Sequence, residues 1–482
     1  MNKIKTDIKQ QCNNYFKDAS LPVVCVQGLG FVGTAMSVAV ANACDSDGKP
    51  YFNVIGLDLP NETGLKKIDL INAGEFPLVT NDETLIAAFH RAIDAKNLMA
   101  TADVNAYKLA SVTIVDIHLD VNFDDEEPSV NFEGFKSAIT TLGERMPAES
   151  LIIVETTVPP GTCEKVLQPV LETALEKRGF SNDSIKLAHS YERVMPGKDY
   201  YNSIVNFWRV YAGITEDASN LCEQFLSKIV NTNEYPLTKL HSTTSSETAK
   251  VLENSYRATN IAFIDEWGHF AESVGIDLFE VIDAIRMRPT HNNIRQPGFG
   301  VGGYCLTKDP LLAAISAKNI YGISTVDFTF SKKSVEINNA MPVYALSKLR
   351  QLLGGSLSGK RILLLGISYR QDVGDTRYSP SETFVRLAES EGATLLMHDP
   401  LVSHWEELGR DVLVQLPSVQ DINAVVLAVQ HDSYKQINFE QWLADERPII
   451  FDANNVLSKQ QGHLIQSLGC QLASIGRGVV NA

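Results

Sequence analysis

The sequence is short of positive charge. It has 42 Lys and Arg against 58 Asp and Glu, a net charge of −16 over 482 residues. That balance argues against bulk binding of nucleic acid or of an anionic membrane surface. An anionic ligand fits only if local basic residues and backbone N–H groups hold it. Cysteine is scarce as well. The seven are Cys12, Cys25, Cys44, Cys163, Cys222, Cys305 and Cys470. They are odd in number, scattered and without a CxxC pair, which excludes a disulfide framework and a zinc site and points to a reducing compartment. No apolar run reaches the roughly 18 residues of a membrane-spanning helix. The first twenty residues, MNKIKTDIKQQCNNYFKDAS, hold no apolar stretch of a secretory signal, so a cytoplasmic location is expected. Low-complexity tracts and short-period repeats are also missing.

What is present is ordinary globular composition, 44% hydrophobic and 21% charged. The length suits about three domains at roughly 150 residues each, with a core large enough to need no disulfides. PVVCVQGLG, from Pro22, reads as a buried strand entering a glycine turn, and FVGTAMSVAVANAC as a helix of small residues. Further strands are expected at Val54–Leu57, Val112–Ile117 and Leu151–Glu155, with helices at Asn81–Ala95 and Phe132–Arg145. This alternation predicts a parallel sheet covered on both faces. From Thr243 to Ile323 no strand is expected. A long helix is predicted over Ser245–Val274, capped by Ser245 or Ser246, and another over Leu278–Met287. Beyond LLGGSLSGK a second α/β unit begins. Its strands are expected in RILLLGISY, ATLLMHDP, Ala424–Ala428 and Ile449–Phe451, with a helix at Pro380–Glu391.

The expected fold class is therefore α/β, two doubly wound Rossmann-like domains joined by a mostly helical central domain. The boundaries are drawn at 1–235 for the dinucleotide-binding domain, 236–335 for the helical domain and 336–482 for the C-terminal nucleotide-binding domain.

Several short motifs carry chemistry. Gly28-Leu-Gly30-Phe31-Val32-Gly33 follows a strand and opens a helix, as a dinucleotide-binding fingerprint does. Gly28 allows the tight turn, Gly30 lets a pyrophosphate approach the backbone, and Gly33 lets helix and strand pack closely. Asp58 ends the next strand, 25 residues past Gly33; the polar stretch Asp45–Asn53 explains the extra length as a loop. A carboxylate there accepts the ribose hydroxyls of NAD and repels the 2′-phosphate of NADP. Cys305 follows three glycines in Gly300-Val-Gly-Gly-Tyr-Cys-Leu-Thr-Lys-Asp309. It is sterically open, and a helix N-terminus there would favour its thiolate. Lys250 and Asn254 share one face of the long helix at i, i+4, where an ammonium and an amide can steady an oxyanion. Glu155-Thr-Thr157-Val-Pro-Pro-Gly161 ends a strand, the place where open α/β sheets put ligands. The Pro-Pro-Gly equally serves to stop that strand and start the next helix.

Five ordered blocks carry a resemblance that covers about Val23 to Val456. They are GLGFVG, ETTVPPGT, TSSETAKVLENSYRATNIAFIDE, GFGVGGYCLTKD and LLLGISYRQDVGDTRYSP. Together they resemble the UDP-glucose/GDP-mannose dehydrogenase family. SYERVMPG is similar to the UDP-N-acetylhexosamine (UDP-N-acetylmannosamine) branch. The resemblance implies an NAD-dependent, four-electron oxidation of the C6 alcohol of a UDP-sugar to a carboxylate, supplying precursors of surface polysaccharide. It implies that Cys305 adds to the intermediate aldehyde and is left as a thioester. It casts Lys250 and Asn254 as oxyanion stabilisers, Asp309 as orienting water, Glu192 as the base for thioester hydrolysis, and Thr157 at the nicotinamide and water site. Arg193, Lys308, Arg377 and Arg295 are the candidate substrate contacts. Relatives dimerise through the long helix; its apolar positions suit that or packing within the chain.

The sequence departs from the family in three places. A Pro-Thr-Pro-like loop is replaced by Val115-Asp-Ile-His-Leu-Asp-Val121, where Asp116 and His118 are the substitutes. A C-terminal Arg is replaced in Asp452-Ala-Asn454-Asn455. Tyr304 stands where the hexosamine branch often has His. The loop Arg286-Met-Arg288-Pro-Thr-His291-Asn-Asn-Ile-Arg295 could supply compensating cations. UDP-N-acetylmannosamine, UDP-N-acetylglucosamine, UDP-N-acetylgalactosamine and UDP-glucose stay open as substrates. A two-electron dehydrogenase of the 6-phosphogluconate or 3-hydroxyacid type is the rival enzyme, and a catalytically silent nucleotide-sugar sensor the non-enzyme rival.

Overall fold

A computed structural model describes residues 7–123, 127–194, 197 and 199–478. Met195 and Pro196 of the SYERVMPG segment lie outside the described residues. The chain divides into two compact units, Met1–Leu252 with Leu312–Asp327, and Glu253–Leu311 with Phe328–Ala482.

The first unit is built on eight strands. They are β1 (Val23–Gln27), β2 (Asn53–Leu57), β3 (Leu98–Thr101), β4 (Ala110–Val115), β5 (Leu151–Val154), β6 (Lys186–His189), β7 (Val210–Gly213) and β8 (Thr238–Lys239). Their order is β8-β7-β6-β5-β4-β1-β2-β3. All neighbours are parallel except β6 and β7. Apolar clusters cover both faces. The central strands therefore read as unbroken β-branched runs such as Val24-Cys25-Val26, each 0% exposed. The order turns back between β1 and β4, so their carboxyl ends mark the crevice where doubly wound sheets bind ligands.

The second unit carries five parallel strands, β9 (Arg361–Leu365), β10 (Thr394–His398), β11 (Ala424–Leu427), β12 (Ile449–Asp452) and β13 (Leu472–Ser474), in the order β10-β9-β11-β12-β13. It too is covered on both faces by apolar side chains. The long helix Thr243–Val274 runs from the first unit into the second. The fold class read from the sequence is thus the one found.

Local differences have physical causes. The long helix starts at Thr243 rather than Ser245, because the Ser242 hydroxyl accepts the Ser245 N–H at 3.1 Å. Ser246, expected as a cap, instead faces His189, Oγ to Nδ1 2.8 Å. Strand β4 stops two residues early; the Thr156 hydroxyl takes the Ile117 carbonyl at 2.8 Å. Helix Thr329–Leu352 was not anticipated, and it runs through residue 335. It contains Pro342, a residue that normally argues against a helix interior.

Candidate active site

In the first unit the glycine turn does what the motif requires. Gly28 has φ +99°, a conformation L-residues rarely adopt, and a Cβ there would lie 2.5 Å from the Asp116 carbonyl oxygen. A Cβ on Gly33 would lie 1.8 Å from the Gly28 carbonyl oxygen. Helix α1 (Phe31–Asn42) can begin directly after the turn only because both side chains are missing. Its first residues, Phe31 and Val32, are half-buried, and the Leu29-Gly30 turn that leads into them lines a cleft. A cleft of about 690 Å³ opens there, lined by Gly28, Gly30, Asp58, Lys67, Asp116 and His118 among others. Residues 45–49 form the expected polar loop, closed by the Asp45 N–H on the Lys49 carbonyl at 3.0 Å. Asp58 Oδ1 accepts the Leu59 N–H at 2.8 Å; Oδ2 accepts the Leu29 N–H at 3.3 Å and pairs with Lys67 Nζ at 2.9 Å. His118 is exposed, with Nε2 3.8 Å from where a Gly30 Cβ would stand. It therefore lies over the turn, where the family's proline loop is missing. These residues fit a dinucleotide. The glycine cradle has no room for side chains, the helix N-terminus suits a pyrophosphate, and the carboxylate suits a ribose diol.

The carboxyl ends of β4, β5 and β6 bring together Asp116, Glu155 and Glu192, with Arg209, Lys250 and His189. Glu155 pairs with Arg209, 1% and 2% exposed, and Arg209 also donates to the Ser190 carbonyl at 2.9 Å. Lys250 Nζ donates to the Glu192 carbonyl at 2.9 Å and lies 3.7 Å from its Oε1. Burial raises the Asp116 carboxyl well above the carboxylate range, and the charges of Glu155 and Glu192 add to it. Burial and the charges of Lys250 and Arg209 push the His189 ring down to about 3, so it is neutral. Thr157 is half-buried on the loop just past β5. Arg193 donates to the Tyr191 hydroxyl at 3.3 Å and stacks on the Tyr191 and Phe207 rings. Beneath this cluster Glu247, fully buried, accepts the N–H groups of Gly161 and Cys163, so the Pro-Pro-Gly turn is anchored to the long helix.

In the second unit Cys305 is exposed and heads a turn in which the Asp309 N–H donates to its carbonyl at 2.9 Å. The preceding glycines have a packing role. Cβ atoms on Gly302 and Gly303 would lie 2.7 and 2.6 Å from Tyr369, and one on Gly300 would lie 2.5 Å from Pro380. Asp309, 1% exposed, accepts Asn254 Nδ2 at 2.7 Å on one oxygen and Lys308 Nζ at 2.9 Å on the other. Lys308 is 3% exposed and lies 4.3 Å from the Tyr304 ring centroid, so its charge is spent inside the loop. Arg377 is paired with Asp375 at 2.7 Å. Arg295 is exposed as a residue, but partial desolvation of its guanidinium and the neighbouring charges of Arg257 and Arg286 lower its pKa. Sequence reasoning missed Lys67 beside Asp58 and the Glu155–Arg209 pair. Neither has a spacing signal, because both pairings cross from one strand's end to another element.

Among the described residues no group of His, Cys, Asp and Glu could hold a metal ion, and no helix is long and apolar enough to cross a membrane. Fold and cleft define a dinucleotide-dependent dehydrogenase. Residues 23–232 match the NAD binding domain of the UDP-glucose/GDP-mannose dehydrogenase family, 244–340 its central domain and 363–459 its UDP binding domain. The UDP-N-acetyl-D-mannosamine dehydrogenase of Pyrococcus horikoshii is 29% identical over 95% of this chain and 100% of its own. That of Methanocaldococcus jannaschii is 28% identical over 91% and 93%. The solved structure of the Pyrococcus horikoshii enzyme covers 95% of this chain and 100% of its own, with a TM-score of 0.80 at 28% identity. The NDP-N-acetyl-D-galactosaminuronic acid dehydrogenase of Methanosarcina mazei covers 97% and 98%, with a TM-score of 0.77 at 25% identity. The chain belongs to the UDP-glucose/GDP-mannose dehydrogenase family and is an NAD-dependent dehydrogenase of UDP-sugars.

Proposed function

We propose that the protein oxidises C6 of a UDP-N-acetylhexosamine, first of all UDP-N-acetyl-D-mannosamine, from alcohol to carboxylate through a thioester on Cys305. The observation that carries this reading is an exposed thiol in a turn whose buried Asp309 fixes the Asn254 amide. The relatives from Pyrococcus horikoshii and Methanocaldococcus jannaschii, named for UDP-N-acetyl-D-mannosamine, support the sugar. NAD, held by Gly28, Gly30, Gly33 and Asp58, supplies the hydride acceptor for both oxidations. The alcohol proton passes to water as the first hydride leaves, and the Lys250 ammonium with the Asn254 amide steadies the oxyanion. Cys305 Sγ then bonds to the aldehyde carbon, which retains the half-oxidised sugar. Loss of the second hydride, with the hydroxyl proton passing to water, converts the thiohemiacetal to a thioester. Glu192 accepts a proton from water, the hydroxide adds to the acyl carbon, and the C–S bond breaks to release the acid and the thiolate. Asp309 acts by holding Asn254 and Lys308.

The chain works as a homodimer in this reading. Tyr256, Phe263, Trp267, Phe270 and Val274 lie on one stripe of the long helix at 47–55% exposure, an apolar face that a second copy would cover. The product is a precursor for surface polysaccharide, made in the cytoplasm.

The reading is tested with the four candidate UDP-sugars and NAD, following NADH and the acid product. Turnover is expected with a UDP-N-acetylhexosamine. Cys305→Ala is expected to form no acid while binding the nucleotide sugar as the parent does. Acid formation at the parent rate by Cys305→Ala excludes the covalent route.

A further inference from the structure

We propose that Lys67 sets how strictly the cofactor cleft separates NAD from NADP. The inference rests on the cleft being the NAD site. A carboxylate at the end of β2 discriminates by accepting the ribose hydroxyls and repelling a 2′-phosphate. Here that carboxylate is already engaged. Asp58 accepts the Leu29 and Leu59 N–H groups and forms a 2.9 Å ion pair with Lys67. An ionised carboxylate offers about four lone-pair positions, so three are taken before any ribose arrives.

The position of Lys67 makes this more than a surface ion pair. The side chains of Lys67 and Asp58 are only 20% and 13% exposed, so solvent screens them less than it would an open pair. Lys67 projects from helix Glu62–Ala73, which begins at the Asn61 cap directly after β2. Its start is fixed by Gly64, where a Cβ would lie 2.1 Å from the Leu59 carbonyl oxygen. Helix and carboxylate are thus held in one register. Among the described residues lining the cleft, Lys67 is the single Lys or Arg, against the carboxyls of Asp58, Asp116 and Asp120. A phosphate entering at the Asp58 end of the cleft meets this ammonium beside the carboxylate. Lys67 therefore lowers the repulsion that Asp58 exerts on NADP and leaves NADP as a tolerated second cofactor. Lys67 is a specificity residue with no part in hydride transfer.

The test is equilibrium binding of NAD and NADP, by calorimetry or fluorescence, to the full-length protein, to Lys67→Gln and to Asp58→Asn. The parent is expected to bind NADP about tenfold more weakly than NAD, and Lys67→Gln to widen that gap a further tenfold, each step about 1.4 kcal/mol. The widening comes from weaker NADP binding, with NAD changed by less than about threefold. Raising the salt concentration should narrow the gap between the cofactors more in Lys67→Gln, where Asp58 repels the 2′-phosphate unopposed, than in the parent. Asp58→Asn should narrow the gap. Equal shifts of both cofactors in Lys67→Gln, or a parent blind to NADP at millimolar concentration, overturn the proposal. If NAD itself does not bind the parent, the assignment of the cleft fails instead.

Discussion

The two doubly wound sheets start from the same device and use it differently. Strand β1 is followed by Gly28 with φ +99°, whose N–H donates to the Leu57 carbonyl at 2.8 Å; strand β9 is followed by Gly366, also at φ +99°, donating to the His398 carbonyl at 2.8 Å. In each the neighbouring strand ends in an aspartate that accepts the N–H after the glycine, Leu29 onto Asp58 and Ile367 onto Asp399. There the likeness stops. Asp58 faces an open cleft. Asp399 is 0% exposed, takes a second N–H from Ser368, and lies against His431 at 3.2 Å. In the first sheet the helix follows the glycine after two residues; in the second a loop of 13 residues, 367–379, comes first. Ser381 then occupies the place of Gly33, its hydroxyl bonding the Gly366 carbonyl at 3.0 Å. A dinucleotide site thus needs more than strand, glycine and carboxylate. It needs the third glycine and a carboxylate that still faces the cleft.

The largest effect that would break this comparison is expected from Gly33→Ala. The added methyl cannot coexist with the Gly28 carbonyl, so NAD binding should weaken by more than about 100-fold, as measured by calorimetry. Ser381→Gly, at the matching place, should cost about 1 kcal/mol of stability through one lost hydrogen bond and leave NAD affinity unchanged. The two aspartates should separate in the same way. Asp399→Asn disrupts a buried, charge-assisted network and is expected to cost about 3 kcal/mol in denaturant unfolding. Asp58→Asn should cost less than about 1 kcal/mol, because its partner is partly solvated.

A smaller contrast lies in pH dependence. Burial lifts Glu247 in the first unit to about 7, against the N–H bonds of Cys163 and Gly161. The folded chain then keeps a proton that the unfolded chain has released above its ordinary value of 4.5. This contribution to stability is full below pH 4.5 and is lost as pH rises to 7, on the order of 3 kcal/mol. Burial also lifts Asp399, but the His431 contact and the N–H groups of Leu401 and Ser368 outweigh it, so its pKa falls below 3.8. Its contribution is present above that value and lost as pH falls through the folded pKa. Stability measured by denaturant at stepped pH should therefore fall less steeply between pH 4.5 and 7 in Glu247→Gln, while Asp399→Asn alters only the acid limb.

Much of this was legible in the sequence because it depends on local chain geometry. A tight turn before a helix must be glycine, so Gly28 and Gly33 announce themselves. A sheet buried on both faces writes Val-Val-Cys-Val, and Cys305 stands out by its glycines and by Asp309 four residues on. What stayed hidden depends on which way a side chain turns, even toward a neighbour one or two residues away. Nothing near Lys308 shows that its ammonium is turned inward onto Asp309, or that Arg377 is held by Asp375. Lys67 reads as one more helix-surface lysine until the structure lays it against Asp58. Pro342 concealed a helix of 24 residues. The resemblance of Gly366 and Asp399 to Gly28 and Asp58 is invisible as a motif, because an inserted loop separates the glycine from its helix.

The most direct test of the account is the yield of NADH from a limiting amount of UDP-N-acetylhexosamine, followed to completion with excess NAD. The account predicts two NADH and one uronic acid for every sugar consumed; one NADH with release of an aldehyde or ketone contradicts it.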